Sequence, residues 1–221
     1  SDRLPATVKN IRAEIERLGG KVLFENKLKK FVYSGDKIVS AIVNDEEIPV
    51  DDVVLAIGHS ARDTFYEPKE ENIAMERKPF AMGFRIEHRR EFIDEAQYGT
   101  KFAHILPAAD YRLASHKGQR GVFTFCMCPG GVVMPAASEI GGVATNGMSL
   151  YARNDENSNS AILCEVYPSD FYDGILGGVE LQREIERKAY ILGGGDYSAP
   201  VQTLGDYFDC KKTRKFGRVL P

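Results

Sequence analysis

Tryptophan is absent from this chain and cysteine is scarce, with Cys126, Cys128, Cys164 and Cys210 its four thiols. Four scattered thiols do not make a disulfide framework, so a reducing, cytoplasmic setting is the expectation. No apolar run approaches the roughly 18 to 20 residues of a membrane-spanning helix, and the N-terminus lacks the basic-then-apolar pattern of a secretion signal. An excess of one charge is lacking too. With 29 Lys and Arg against 32 Asp and Glu, the formal net charge is −3, which gives no electrostatic reason to expect nucleic acid or an anionic membrane as partner. The basic cluster Lys211, Lys212, Arg214, Lys215 and Arg218 has no aromatic platform beside it and reads as a solvated surface or a pairing surface. Familiar motifs are missing as well. Despite 21 glycines there is no G-x-G-x-x-G, no Walker loop, no G-x-S-x-G and no H-E-x-x-H. His59, His88, His104 and His116 stand too far apart to suggest a metal site, and Cys126-Met127-Cys128 is not a C-x-x-C pair, so no metal is expected.

What is present describes a folded protein. The 221 residues are 43% hydrophobic and 28% charged, a globular composition with room for one large core or two modest ones. Val8, Ile11, Ile15 and Leu18 recur at helical spacing after Pro5 and before Gly19-Gly20, which predicts a helix. Lys21–Glu25, Leu28–Tyr33, Lys37–Val43 and Ile48–Val50 read as strands, with turns at Ser34-Gly35-Asp36 and Asn44-Asp45-Glu46. Val53–Ile57 is a short unbroken apolar run, the pattern of a strand covered on both faces of a parallel sheet. Gly58 follows, and Ser60 and Asp63 have capping-box spacing for a helix. Beyond residue 64, strands are predicted at 78–88, 122–127, 132–136 and 161–166. Helical turns are predicted over 91–97, a polar loop over 149–160, and a helix over Val179–Leu192 stopped by three glycines.

Three places have residue types suited to chemistry. Gly58, His59 and Ser60 lie where ligands bind in open α/β sheets, outside the carboxyl end of a strand. Cys126, Cys128, Gly130 and Gly131 end a strand in two thiols and a Pro-Gly-Gly turn. Its backbone N–H groups suit an anion or a planar ring, though on the residues alone small buried thiols and a merely tight turn are the favoured reading. Arg85 shares a strand face with Glu87, next to His88, and either faces a polar ligand or forms a surface ion pair. Asn146 and Arg153 are weaker substrate-side candidates.

Taken in order, VVLAIGHSARDTF, KPFAMGFRIEH, IDEAQYG, FTFCMCPGGVV and ATNGMSLYARNDENSNSAIL resemble the bacterial FAD-dependent, NAD(FAD)-utilising dehydrogenases, distant relatives of flavoproteins with a glutathione-reductase-type FAD domain. The resemblance runs from about residue 5 to 195. It implies an α+β chain. Residues 1–64 would be the C-terminal portion of the FAD-binding domain, and residues 65–221 a β-rich, mostly antiparallel substrate-side domain with one long helix. It implies FAD as cofactor, with NAD(P)H as an open second one. It places Gly58 near the dinucleotide, and Cys126 to Gly131 facing the flavin or a small-molecule substrate. The family's glycine-rich FAD segments lie outside the matched stretch. The chain is therefore expected to be an internal piece that partners the missing FAD-domain segments and, without their phosphate cradle, binds FAD weakly or not at all and does not turn over. Two other readings stay open: a small-molecule or protein binding module without redox chemistry, and a structural domain covering the flavin of a neighbouring chain.

Overall fold

The computed structural model describes residues 2–66, 73–116, 118–214 and 216. The chain divides into two compact units, Ser1–Arg77 and Lys78–Pro221. Both are built from helices and antiparallel strands, an α+β fold.

The first unit opens with α1 (Leu4–Arg17), which has Pro5 in its first turn, a position where the missing N–H costs nothing. Its apolar residues Leu4, Val8, Ile11 and Ile15 form one stripe, and all four are exposed. Three strands follow as an antiparallel meander, β1 (Leu28–Ser34), β2 (Lys37–Val43) and β3 (Glu46–Pro49). Gly35 at φ 60° and Asn44 at φ 55° make its two turns. Phe31 and Ala41 lie opposite each other and are buried.

Two predicted strands of this unit do not form. Lys21–Glu25 and Val53–Ile57 are irregular, with Leu23, Phe24, Val53 and Leu55 exposed and Val54 at 89%. Apolar β-branched sequence expresses a tendency, but a strand exists only where a neighbour supplies ladder partners, and among the described residues neither stretch has one. The expected parallel sheet is absent with them, since every described strand pair is antiparallel. Gly58 does turn the chain, at φ 70°. The predicted helix start after Ser60 appears as successive turns, with the N–H groups of Thr64, Phe65 and Tyr66 donating to the carbonyls of Ala61, Arg62 and Asp63. The continuation predicted past Tyr66 lies outside the described residues.

The second unit is centred on a sheet of order β4-β9-β6-β5, where β4 is Phe80–Arg89, β5 Ala114–Ser115, β6 Val122–Cys128 and β9 Asn157–Val166. Between β4 and β5 lies α2 (Arg90–Tyr98). A hairpin of β7 (Gly131–Ala136) and β8 (Ala144–Ser149) lies against the sheet. After β9 come α3 (Gly177–Leu192) and the short α4 (Leu204–Phe208). α3 is tied to the loop between β7 and β8: Val143 N–H donates to the Glu186 carbonyl at 3.1 Å, and Arg183 pairs with Glu139 at 2.7 Å. The predicted loop over 149–160 is shorter than expected, because β8 runs to Ser149 and β9 starts at Asn157. Asn, Ser and Asp mark turns by composition, yet here Ser158, Asn159 and Ser160 are strand residues at 0% exposure. No described helix is long and apolar enough to cross a membrane.

Candidate functional site

Ser158, Asn159 and Ser160, near the start of the inner strand β9, are polar and buried, and buried polar groups call for directed hydrogen bonds. Ser158 Oγ accepts from the Gly130 N–H at 2.9 Å, and Ser160 Oγ lies 3.3 Å from the Phe125 carbonyl. Asn159 Oδ1 accepts from Arg85 Nε at 2.8 Å. The residues that bond to β9 in this way come from β4, β6 and the turn after β6, so two sequence candidates far apart in the chain, Arg85 and Gly130, meet at one strand.

A bulge in β6 makes the meeting possible. Phe125 stands opposite Ala161 and Cys128 opposite Asn159, so β6 takes three steps where β9 takes two. Cys126 carries the bulge at φ 45°, a conformation that L residues adopt rarely. A bulged residue leaves the ladder, and the Cys126 carbonyl instead accepts from Arg85 Nη2 at 2.6 Å. The Cys128 thiol also points to that carbonyl, 3.5 Å away, with Arg85 Nη2 at 3.7 Å from the sulfur. Cys126 is exposed and Cys128 half-buried. The two thiols thus differ: one faces outward and the other is held inside the bracket.

Glycine is required where β8 crosses this bracket. A Cβ on Gly147 would lie 2.3 Å from Arg85 Nη2 and 2.4 Å from Asn159 Oδ1. Asn146 beside it is exposed, and its Oδ1 accepts from the Gly147 N–H at 2.8 Å. Arg153 joins through its backbone: its carbonyl packs so near Gly130 that a Cβ there would lie 1.9 Å from the oxygen. The Pro129-Gly130-Gly131 turn is therefore closed by its own chain. Gly130 and Gly131 are buried, and the Gly130 N–H that an anion would need donates to Ser158.

His88 and Tyr111 form a pair with His88 Nε2 2.8 Å from the phenol oxygen. Burial holds the imidazole pKa below its ordinary value, although backbone groups of Arg89 and His88 pull the other way. Burial pushes the Tyr111 phenol up, with Ser160 and Arg85 opposing. His88 Nδ1 and Asn159 Nδ2 are buried without a hydrogen-bond partner among the described residues. Tyr111 has no motif around it, and only its three-dimensional position identifies it. Glu87, expected to share a face with Arg85, accepts from Asn157 Nδ2 at 3.0 Å instead of pairing with the arginine.

In the first unit, Gly58, His59 and Ser60 are exposed, and no atom lies within 4 Å of where a Gly58 Cβ would stand. His59 Nε2 lies 3.2 Å from Arg62 Nη2, whose residue is 1% exposed. This turn is open, whereas the Gly130 turn is filled. In the second unit His104 lies beside Glu91 and Glu95, with one donor atom of each within 4.8 Å of the others.

Residues 79–221 match the family described as FAD-dependent protein, C-terminal domain-like. A protein of Clostridium beijerinckii bearing the name "Uncharacterized protein" is 50% identical over 225 aligned residues, which take in all of this chain. The chain spans 42% of that relative's length.

Proposed function

The chain belongs to the FAD-dependent protein family through that C-terminal-like domain, and we propose that it serves as the substrate-side part of a flavin-dependent oxidoreductase, a dehydrogenase moving hydride or electrons between FAD and a nicotinamide or organic substrate. The family match over residues 79–221 carries this reading. Bound FAD would supply the two-electron chemistry, and the chain's residues would supply walls and orientation. Gly58, His59 and Ser60 fit as a wall for the cofactor, because the glycine leaves open space behind an exposed turn. The filled Gly130 turn and the buried Gly131 fit a structural role better than a cradle for phosphate. Cys126 is the thiol available to a substrate or flavin, and Arg85 and Cys128 hold it in place.

The partner of the first unit is the remainder of the same protein's FAD domain. Uncovered apolar residues support this: the α1 stripe, together with the irregular stretches 21–25 and 53–57, exposes the surface that a buried helix and two buried strands would cover. The phosphate cradle would come from those other segments, since this sequence contains no G-x-G-x-x-G.

Expression of the complete protein followed by a visible absorbance spectrum tests the proposal. A flavin band in the purified protein, or one gained on adding FAD, is the expected result. A colourless product that gains no band overturns the oxidoreductase reading. The 221-residue chain by itself is expected to bind FAD weakly or not at all. Stoichiometric flavin on that chain would contradict a cradle supplied from elsewhere.

A further inference from the structure

Glu91 and Glu95 are one helical turn apart on α2, so their carboxylates share a face. Gly99, at φ 72°, ends that helix. The chain then doubles back in successive turns, with Ala103 N–H donating to the Gly99 carbonyl at 3.1 Å and Ile105 N–H to Phe102 at 3.0 Å. Asp94, at 4% exposure, fixes the return by accepting from the Ala109 N–H at 2.7 Å. His104 is thereby carried to the two glutamates, and one donor atom from each residue lies within 4.8 Å of the others. Neither carboxylate nor the imidazole has an ion pair or hydrogen bond among the described residues. The adjacent cation, Arg90, is directed at Asp94, with Nε 3.7 Å from the carboxylate.

Two like charges at i, i+4 repel, and a divalent cation between them turns that repulsion into attraction. The donor set is mixed and comes from two separate elements, a helix and a return loop. A cavity of about 300 Å³ opens beside it, lined by Glu91, His104, Asp94 and Glu156 and by Arg89 and Arg90, whose charges are taken up by Glu156 and Asp94, and it leaves room for water on the remaining coordination positions. We propose that Glu91, Glu95 and His104 bind a first-row divalent ion such as Mn²⁺ or Zn²⁺. One imidazole nitrogen with two carboxylate oxygens suits such ions, whereas Ca²⁺ takes six to eight oxygens. This site is independent of the flavin reading.

The test is titration of the tag-free 221-residue chain with MnCl₂, following the free-ion signal by electron paramagnetic resonance, and then with ZnCl₂ by calorimetry. Binding of one ion per chain is expected. It should weaken about tenfold or more in His104→Ala and in the Glu91→Gln, Glu95→Gln double variant, and be unchanged in Glu46→Gln on β3. All three proposed ligands are exposed, so circular dichroism should show each variant folded. Free Mn²⁺ undiminished up to millimolar protein, or Mn²⁺ binding equal in His104→Ala, overturns the proposal. Zinc binding that survives His104→Ala and disappears in Cys126→Ser places the ion on the thiols and overturns it as well.

Discussion

Arg85 on β4 holds both the Asn159 side chain and the Cys126 carbonyl with one guanidinium, donating at 2.8 and 2.6 Å. It therefore spans from its own strand across β9 to the bulge of β6. Arg85→Leu leaves Asn159 Oδ1 without its guanidinium donor and the Cys126 carbonyl with the weak Cys128 thiol in place of the guanidinium. The expected cost is about 1–3 kcal/mol in chemical denaturation of the chain. Arg85→Lys recovers only part of it, because the ammonium's donors radiate from one nitrogen, whereas the guanidinium reaches the two acceptors from Nε and Nη2 in a fixed plane. Unchanged stability in Arg85→Leu would remove the bracket from this account.

The two glycines of the candidate regions predict opposite patterns. Gly147→Ala drives a methyl into Arg85 and Asn159 and is expected to destabilise by about 1–3 kcal/mol. Gly58→Ala meets no atom within 4 Å and carries only the cost of a left-handed backbone, about 1–2 kcal/mol. In the complete protein, Gly58→Ala should lower flavin occupancy at fixed FAD, whereas Gly147→Ala should lower the melting temperature first. Full occupancy with Gly58→Ala would count against that turn as a cofactor wall.

His88 makes stability depend on mild acid. Burial lowers its folded-state pKa below the ordinary 6.5, so the unfolded chain binds the proton more readily. This contribution is fully present above pH 6.5 and is lost as pH falls toward the folded-state pKa. His88→Gln should flatten the pH dependence of the unfolding midpoint in that window, and an unaltered profile would refute the assignment.

Asp170 predicts a separate acid limit. Its bidentate bonds from Arg120, with help from the Tyr167 N–H, hold the carboxyl down to about 2. Nuclear magnetic resonance titration of Asp170 should give a midpoint near that value, and Arg120→Ala should return it toward the ordinary carboxylate range. A midpoint already near 3.8 in the unsubstituted chain would mean that the ion pair does not hold in solution.

The sequence was readable wherever an element contains its own reason for forming. The period of α1, the alternation and turn residues of β1 and β2, and the three glycines after α3 are local signals, and each appears in the structure. Lys21–Glu25 and Val53–Ile57 were misread because strand formation depends on a neighbour, and the sequence of a strand does not specify whether that neighbour is present. The Ser-Asn-Ser start of β9 reads as a loop for the opposite reason: its polarity signals a turn, whereas Arg85, Gly130 and Phe125 bond to Asn159 Oδ1 and the two serine hydroxyls. The convergence of Arg85, Cys126, Cys128 and Gly130 depends on a one-residue bulge, which no local pattern announces. Gly99 and Asp94 likewise bring His104 to Glu91 across residues whose spacing resembles no ligand motif.

Because β9 alone in its sheet is flanked by two long strands, β4 and β6, its backbone amides can reach solvent only when a neighbour peels away. Deuterium uptake should therefore be slowest over 158–164 and fastest at the short β5 edge, with the sheet opening from its margins inward. The buried polar trio would then be the last part of the unit to become wet.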